Sequence, residues 1–250
     1  MDVESMFADY RAHGVTHVRS VLSPEWIARL AEATDQALAS SPEDAEIYEG
    51  TRDKPLSYGE LQVWKRLETF REAVHEGSLA RLAAELMGSE SARFYYDQLL
   101  VKEPGSERRT PWHQDIPYWK VAGSQICSIW LALDPIPGNA ALEFVRGSQT
   151  WGEHNPQHFM DASPYENTGL TTLPDIESNR DAYDIVSYDL APGDALIFHA
   201  AIVHGAPPAD QSGRRRAWST RWLGDDAVFA DKPGERAIPA EDRELQHGMP

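Results

Sequence analysis

The chain has 250 residues, 41% of them hydrophobic and 25% charged, with 23 basic against 40 acidic residues and a net charge of −17. A chain of this length buries enough surface to fold as one large domain unaided, and its single cysteine, Cys127, excludes an intramolecular disulfide and any multi-cysteine metal centre. The acidic balance argues against nucleic acid or a membrane surface as partner, and the acidic start Met1-Asp2-Val3-Glu4 carries no apolar run, so a cytoplasmic setting is expected.

Residues 4–89 read as helical. Ser23-Pro24-Glu25 is a helix start, with the serine as N-cap and proline at the first helical position. Trp26, Ile27, Leu30, Ala31, Ala37 and Leu38 then form one stripe that Thr34 alone interrupts. Ser40 to Pro55 is polar and acidic and predicts a surface loop. A second helix is expected over Tyr58 to His75, with Leu61, Trp64, Leu67 and Phe70 three apart. A third runs from Leu79 to Met87 and stops at Gly88.

From Ala92 the signals become those of strands. Arg93–Lys102 is rich in β-formers, and Gln125–Leu133 is an almost continuous apolar run closed by Asp134-Pro135. Leu142–Val145, Asp184–Asp189, Ala195–Phe198 and Ala217–Trp222 are shorter strand candidates separated by Gly and Pro turns. Many short strands of this kind predict a sandwich or barrel. Residues 149–182 form a long polar insertion, of a length that is usually a functional lid or disordered, and a lid over the open side of the functional site is expected. The expected organisation is one catalytic domain: a helical buttress over 1–89, a β core over 90–223 carrying the 149–182 insertion, and a surface tail over 224–250.

Trp112-His113-Gln114-Asp115 is the sharpest chemical feature. On an extended strand, residues two apart share a face, so an imidazole and a carboxylate there can ligate one ion. His204, just past the Ala195–Phe198 strand, supplies the further imidazole that a two-histidine, one-carboxylate triad needs. His199 competes for that role. In Arg214-Arg215-Arg216 strand alternation places Arg215 on the face opposite its neighbours, where a single inward guanidinium binds a carboxylate bidentately.

The pattern His113-x-Asp115, His204, Arg215 resembles the iron(II)/2-oxoglutarate dioxygenases, and more narrowly the phytanoyl-CoA dioxygenase family. The resemblance covers Phe94 to Trp222. It rests also on Asp97-Gln-Leu-Leu-Val-Lys-Glu-Pro-Gly105, Ser128-Ile-Trp-Leu-Ala-Leu133, Leu142-Glu-Phe-Val-Arg-Gly-Ser148 and Pro192-Gly-Asp-Ala-Leu-Ile-Phe-His199. It implies a mainly β fold, the double-stranded β-helix or jelly roll of cupin-like proteins, with the helical N-terminal half as buttress. By the same resemblance His113, Asp115 and His204 are iron(II) ligands. Arg215, with Gln98 and Trp130, binds the co-substrate 2-oxoglutarate. The implied reaction uses dioxygen to oxidise an unactivated C–H bond and releases succinate and carbon dioxide. Relatives that halogenate carry a small residue in place of the carboxylate, so Asp115 points to hydroxylation or a related oxidation. Family members often place a hydroxyl two residues after the distal histidine. Here Ala206 stands there, leaving Ser219 or Thr220 as replacements.

Tyr118, Trp119, Arg146, His158 and Phe159 are the candidate substrate contacts, and the expected partner is a small or medium, partly apolar molecule, for a monomer or homodimer. An acyl-CoA would need a local basic patch such as Arg108, Arg109, Lys102 and Lys120. Two other readings stay open: a cupin-like metal enzyme that uses no 2-oxoglutarate, in which Arg215 has no task, and a non-catalytic binding protein on the same fold.

Overall fold

Every residue of the run Ile126–Ala132 is buried, because both faces of that strand are covered. The structure is a computed structural model and describes residues 3–209 and 213–234. Its elements open with α1 (Val3–His13), β1 (Val15–Val18), α2 (Pro24–Ala39), β2 (Glu46–Thr51), β3 (Lys54–Leu61), α3 (Val63–Arg66), α4 (Glu68–His75) and α5 (Ser78–Met87). The β-rich half follows: β4 (Arg93–Lys102), β5 (Thr110–His113), β6 (Val121–Ala122), β7 (Ile126–Ala132), β8 (Glu143–Val145), β9 (Ile185–Val186), β10 (Ala195–His199), β11 (His204–Ala206), β12 (Arg215–Leu223) and β13 (Val228–Phe229).

A seven-stranded sheet runs β1-β10-β7-β12-β4-β3-β2, and a four-stranded sheet runs β5-β11-β8-β9. All pairings are antiparallel. This is the jelly-roll fold with helices on the outside of the large sheet. Alternation along the strands divides the core. Leu99, Val101, Cys127, Ile129, Leu131, Ile197, Trp218 and Trp222 face the helices, where they meet Leu30, Phe70 and Leu79. Trp130, Ala132, Leu196, Phe198 and Ala217 face inward, toward Phe144 of the small sheet.

Helix α2 begins as its cap predicts: Ser23 Oγ accepts from Trp26 N at 3.3 Å. Thr34, the polar residue on its buried stripe, returns its hydroxyl to Leu30 O at 2.8 Å. Helix α5 ends at Gly88 in a left-handed conformation, φ 66°. The N-terminal half is less helical than its pattern suggests. The expected loop over Ser40–Pro55 and the first turn of the expected second helix form the β2–β3 hairpin, which extends the large sheet through β4. Gln62, at φ 58°, breaks the apolar repeat, so Leu61 ends a strand while Trp64 and Phe70 lie on helices. Of the expected tail, residues 224–234 are tied down: β13 pairs with β6, and Lys232 bonds Glu153 at 2.8 Å and Ile116 O at 3.2 Å. Residues 235–250 lie outside the described residues. No helix among those described is long and apolar enough to cross a membrane.

Asp97 of β4 is wholly buried on the helix side, where it accepts from Trp218 Nε1 at 2.8 Å and Trp64 N at 3.2 Å. Burial pushes its pKa up to about 7, against about 3.9 in an unfolded chain. A raised carboxyl pKa stabilises the fold fully below about pH 4, and that stability is lost as pH rises through about 7. The neutral isostere in Asp97→Asn does not titrate, so its stability relative to wild type should climb between pH 4 and 8, as read by urea unfolding. A difference that stays flat across that window would show that Asp97 does not titrate there.

Candidate metal centre and its cavity

His113 ends β5, His204 opens β11, and the two are direct partners in the small sheet, their ring centroids 4.2 Å apart. Gly205 allows this approach: a Cβ there would stand 3.0 Å from Thr110 O across the strand pair. Asp115 does not share a strand with His113, contrary to the simple two-residue reading. The strand stops at His113, Asp115 has helical φ/ψ, and the amides of Asp115 and Ile116 both donate to Ala200 O at 2.9 Å. That turn swings the carboxylate back to the imidazoles.

The Nε2 atoms of His113 and His204 stand 3.6 and 3.7 Å from Asp115 Oδ1, and the donor atoms of all three residues lie within 4.8 Å of one another. Each imidazole bonds a backbone carbonyl through Nδ1, Pro111 O at 2.8 Å and Ile202 O at 3.1 Å. A carbonyl only accepts, so Nδ1 carries the proton and Nε2 presents a lone pair to the shared space. Burial and the neighbouring His113 push the His204 pKa down to about 3, which keeps its ring neutral. Burial works to raise the Asp115 pKa, but the adjacent His113, His204 and Arg221 outweigh it and hold the carboxyl well below its ordinary range. Two nitrogen lone pairs and one ionised carboxylate on one side of an open space fit a divalent first-row metal. His199 is engaged elsewhere: its Nε2 bonds Ser124 O at 2.9 Å and its Nδ1 accepts from Ala201 N at 3.0 Å.

The triad lies in the wall of a cavity of about 510 Å³ between the two sheets, which Arg215 also lines. Arg215 is 8% exposed, and its guanidinium donates to Ala140 O. Among the described residues no carboxylate pairs with it, and burial lowers its pKa to about 10. Its neighbours face the other way: Arg214 pairs with Asp35 and Glu103, and Arg216 with Asp134 and Asp35. Gln98, Ser219 and Trp130 form a row across β4, β12 and β7 on the cavity wall. Trp130 Nε1 and Ser219 Oγ are buried without a partner, as a guest rich in acceptors would require. Thr220 faces outward and accepts from Trp222 Nε1, so Ser219 is the hydroxyl available where Ala206 has none.

Of the candidate substrate contacts, Tyr118, Trp119, His158 and Phe159 line the cavity. Arg146 is not among the lining residues; it faces Asp184 at 3.5 Å on the surface. The basic residues proposed for an acyl-CoA are occupied internally. Lys102 donates to Arg108 O and Pro207 O, Arg109 pairs with Glu143 and Glu177, and Lys120 pairs with Asp231. Several lining residues went unnoticed in the sequence, among them Tyr48, Tyr96, Tyr165 and Arg221. Counting by twos from Arg215 along β12 reaches Ser219 and then Arg221, so the strand phase contained the signal for the last.

The 149–182 segment comes over the triad. The Phe159 ring meets that of His113 edge-on at 4.8 Å and stacks on Tyr118 at 5.5 Å. Gln114, between His113 and Asp115, accepts from His154 N and donates to Gly152 O and Ala201 O, each at 2.7–2.8 Å. Tyr118 Oη donates to Gln157 O at 2.7 Å, and Arg108 Nη2 donates to the carbonyls of Phe159 and Met160. Arg108 is thus a latch. Arg108→Ala should speed amide hydrogen exchange over 157–165 by about tenfold, the equivalent of roughly 1.4 kcal/mol from charge-assisted hydrogen bonds. Unchanged exchange there would mean that Gln114 and Tyr118 alone hold the segment.

The family profile described as phytanoyl-CoA dioxygenase matches residues 10–217. The multifunctional dioxygenase prhA of Penicillium brasilianum is 23% identical over 228 residues, covering 86% of this chain and 70% of that protein. Among solved structures, the non-heme alpha-ketoglutarate-dependent carbocyclase SnoK from nogalamycin biosynthesis superposes with a TM-score of 0.78 at 23% identity, covering 100% of this chain and 93% of that one. The epimerase SnoN, solved with Fe3+, alpha-ketoglutarate and nogalamycin RO, gives 0.74 at 24% identity, with 99% and 94% covered.

Proposed function

As this chain belongs to the phytanoyl-CoA dioxygenase family, we propose that it is an iron(II)/2-oxoglutarate-dependent dioxygenase in which His113, Asp115 and His204 hold the metal. The observation that carries the reading is the unpaired, buried Arg215 in the same cavity as the triad. A buried guanidinium without a counter-ion is costly, and a carboxylate guest relieves that cost. Arg215 anchors the distal carboxylate of 2-oxoglutarate. Gln98, Trp130 and Ser219 would present donors along its length, and its keto-acid end would reach toward the triad.

When bound, iron(II) supplies the redox chemistry with dioxygen that oxidises a substrate C–H bond while 2-oxoglutarate gives succinate and carbon dioxide. The protein supplies the rest. The Pro111 and Ile202 carbonyls fix the tautomers of the two imidazoles. Phe159 and Tyr118 shield the open side from water. Asp115 occupies the position a halide would need, so the reaction is a hydroxylation or related oxidation.

The substrate is a free small to medium organic molecule with apolar rings. Tyr48, Tyr96, Tyr118, Phe159 and Tyr165 give the cavity aromatic walls. With Lys102, Arg109 and Lys120 each engaged inside the protein, a CoA polyphosphate would meet no free basic cluster among them. Without 2-oxoglutarate, Arg215 would have no carboxylate partner among the described residues, which disfavours a cupin-like metal enzyme of another kind. The proposal sets the enzyme in the cytoplasm as a monomer or homodimer.

Anaerobic titration with iron(II) and then 2-oxoglutarate tests the reading without knowledge of the substrate. A visible metal-to-ligand charge-transfer band should appear only when both are present. No band at saturating concentrations of both would sink the proposal.

A further inference from the structure

Arg221 is a second buried arginine in the cavity wall, 5% exposed, and the roles proposed so far give it no task. Its guanidinium is fixed on three sides. Nη1 donates to Ser219 O at 2.9 Å, Nη2 donates to Gln98 Oε1 at 3.0 Å, and the group lies over the Tyr96 ring at 4.8 Å. Its third nitrogen, Nε, is buried without a hydrogen-bond partner and stands 4.0 Å from Asp115 Oδ2.

The two oxygens of Asp115 therefore have different surroundings. Oδ1 faces the imidazole Nε2 atoms at 3.6 and 3.7 Å. Oδ2 accepts from Ser128 Oγ at 2.8 Å and has Arg221 Nε as its next donor. A shift of about 1 Å brings that N–H into a charge-assisted bond. At the other end of the guanidinium, Arg221 can only donate, so the Gln98 amide must present Oε1 to it. That orientation turns the Gln98 NH2 group away from Arg221, and among the described residues this NH2 has no hydrogen-bond partner.

We propose that Arg221 is a positioning residue with two effects, both of which rest on the reading above. With Ser128 it holds Asp115 Oδ2 back, so that the carboxylate would offer a metal Oδ1 alone. Through Gln98 it fixes the amide so that a donor, not an acceptor, meets the oxygens of 2-oxoglutarate. The metal ligand and the co-substrate pocket are thereby joined by one side chain.

The test uses the whole protein, with iron(II) and 2-oxoglutarate as probes under anaerobic conditions and circular dichroism to establish folding. Arg221→Gln should weaken iron(II) binding by about tenfold or more, the usual effect of losing a partner that orients a metal ligand. It should also weaken 2-oxoglutarate binding and shift the charge-transfer band. Ser128→Ala should weaken iron(II) binding and leave 2-oxoglutarate binding near that of wild type, because Ser128 does not touch Gln98. If Arg221→Gln does not fold, Arg221→Lys carries the same test, since one ammonium cannot serve Asp115 and Gln98 together and at least one affinity must fall. A folded Arg221 variant with both affinities within about twofold of wild type and an unshifted band overturns the proposal. A missing band in the unmutated protein overturns instead the 2-oxoglutarate reading on which it stands.

Discussion

Replacing His204 with alanine should reduce iron(II) affinity by at least about a hundredfold and bring 2-oxoglutarate turnover to background. Loss of a group that merely orients a ligand costs about ten- to a hundredfold, so loss of a ligand itself must exceed that range. The geometry leaves no substitute. His199 points its nitrogens at Ser124 and Ala201, and among the described residues no other histidine, cysteine or carboxylate joins the cluster of His113, Asp115 and His204. The His204 ring also packs 4.7 Å from Phe198 and 5.7 Å from Phe144, so the alanine variant will lose some stability as well. His204→Gln keeps more of that volume and separates the two effects. It should fold near wild type and still fail to bind iron(II), as measured by calorimetric titration. A glutamine variant that binds iron(II) within about tenfold of wild type would remove His204 from the metal centre.

The second large effect belongs to Arg215. Arg215→Ala should raise the Michaelis constant for 2-oxoglutarate by roughly thirty- to a thousandfold, from about 2–4 kcal/mol for a lost buried, bidentate charged pair. Arg216→Ala should leave that constant nearly unchanged. Its side chain faces Asp134, Asp35 and Ala31 O on the helix side of the sheet, so its loss appears in stability instead. Arg215→Met gives the sharpest contrast. It removes a buried cation that pairs with no carboxylate among the described residues, and it fills much of the same volume. The ligand-free variant should therefore melt at or above the wild-type temperature, while the stabilisation that 2-oxoglutarate gives the wild type disappears. A marked drop in the melting temperature of ligand-free Arg215→Met would assign the arginine to the architecture of the barrel rather than to a guest. If Arg215→Ala and Arg216→Ala raised the constant equally, the anchor would lie elsewhere in the wall.

Neither result depends on knowing the substrate, which the aromatic wall of the cavity constrains only by class. That wall includes Tyr48, which belongs to the β2–β3 hairpin and not to the surface loop expected over Ser40–Pro55. Arg215, Gln98, Ser219 and Trp130, the proposed co-substrate contacts, all lie on the large sheet, whereas the proposed substrate contacts draw on the hairpin, the turn after β5 and the 149–182 segment. Variation in the hairpin or in the 149–182 segment would then change the cavity wall without disturbing Arg215 or the triad.

Some of this was written in local sequence. The Ser23 cap, the stripe on α2 and the Gly88 stop depend on contacts a few residues apart, and such signals survive without knowledge of the fold. The continuous apolar run of β7 announced a strand covered on both faces, and alternation through Arg214-Arg215-Arg216 carried the direction of each guanidinium. The order of motifs from Gln98 to Arg215 identified the family and with it the jelly roll. Other features were decided only by tertiary structure. Strands of two to four residues, such as β1, β5, β6 and β11, span too few periods to stand out, and they exist because distant partners supply their hydrogen bonds. The three-residue spacing across Leu61, Trp64 and Phe70 imitates a helix, but pairing of β3 with β4 outweighs that local preference. Pairing of His113 with His204 across β5 and β11, and the turn that returns Asp115 to them, follow from sheet register and the Ala200 carbonyl. Arg146 sits close in sequence to the expected substrate loops yet faces Asp184 outside the cavity, while Arg221, unmarked by any motif, stands beside Asp115. Periodicity tells which face of an element is buried. Which other element covers that face, and so what each buried charge meets, is fixed by long-range pairing that no single stretch of the chain contains.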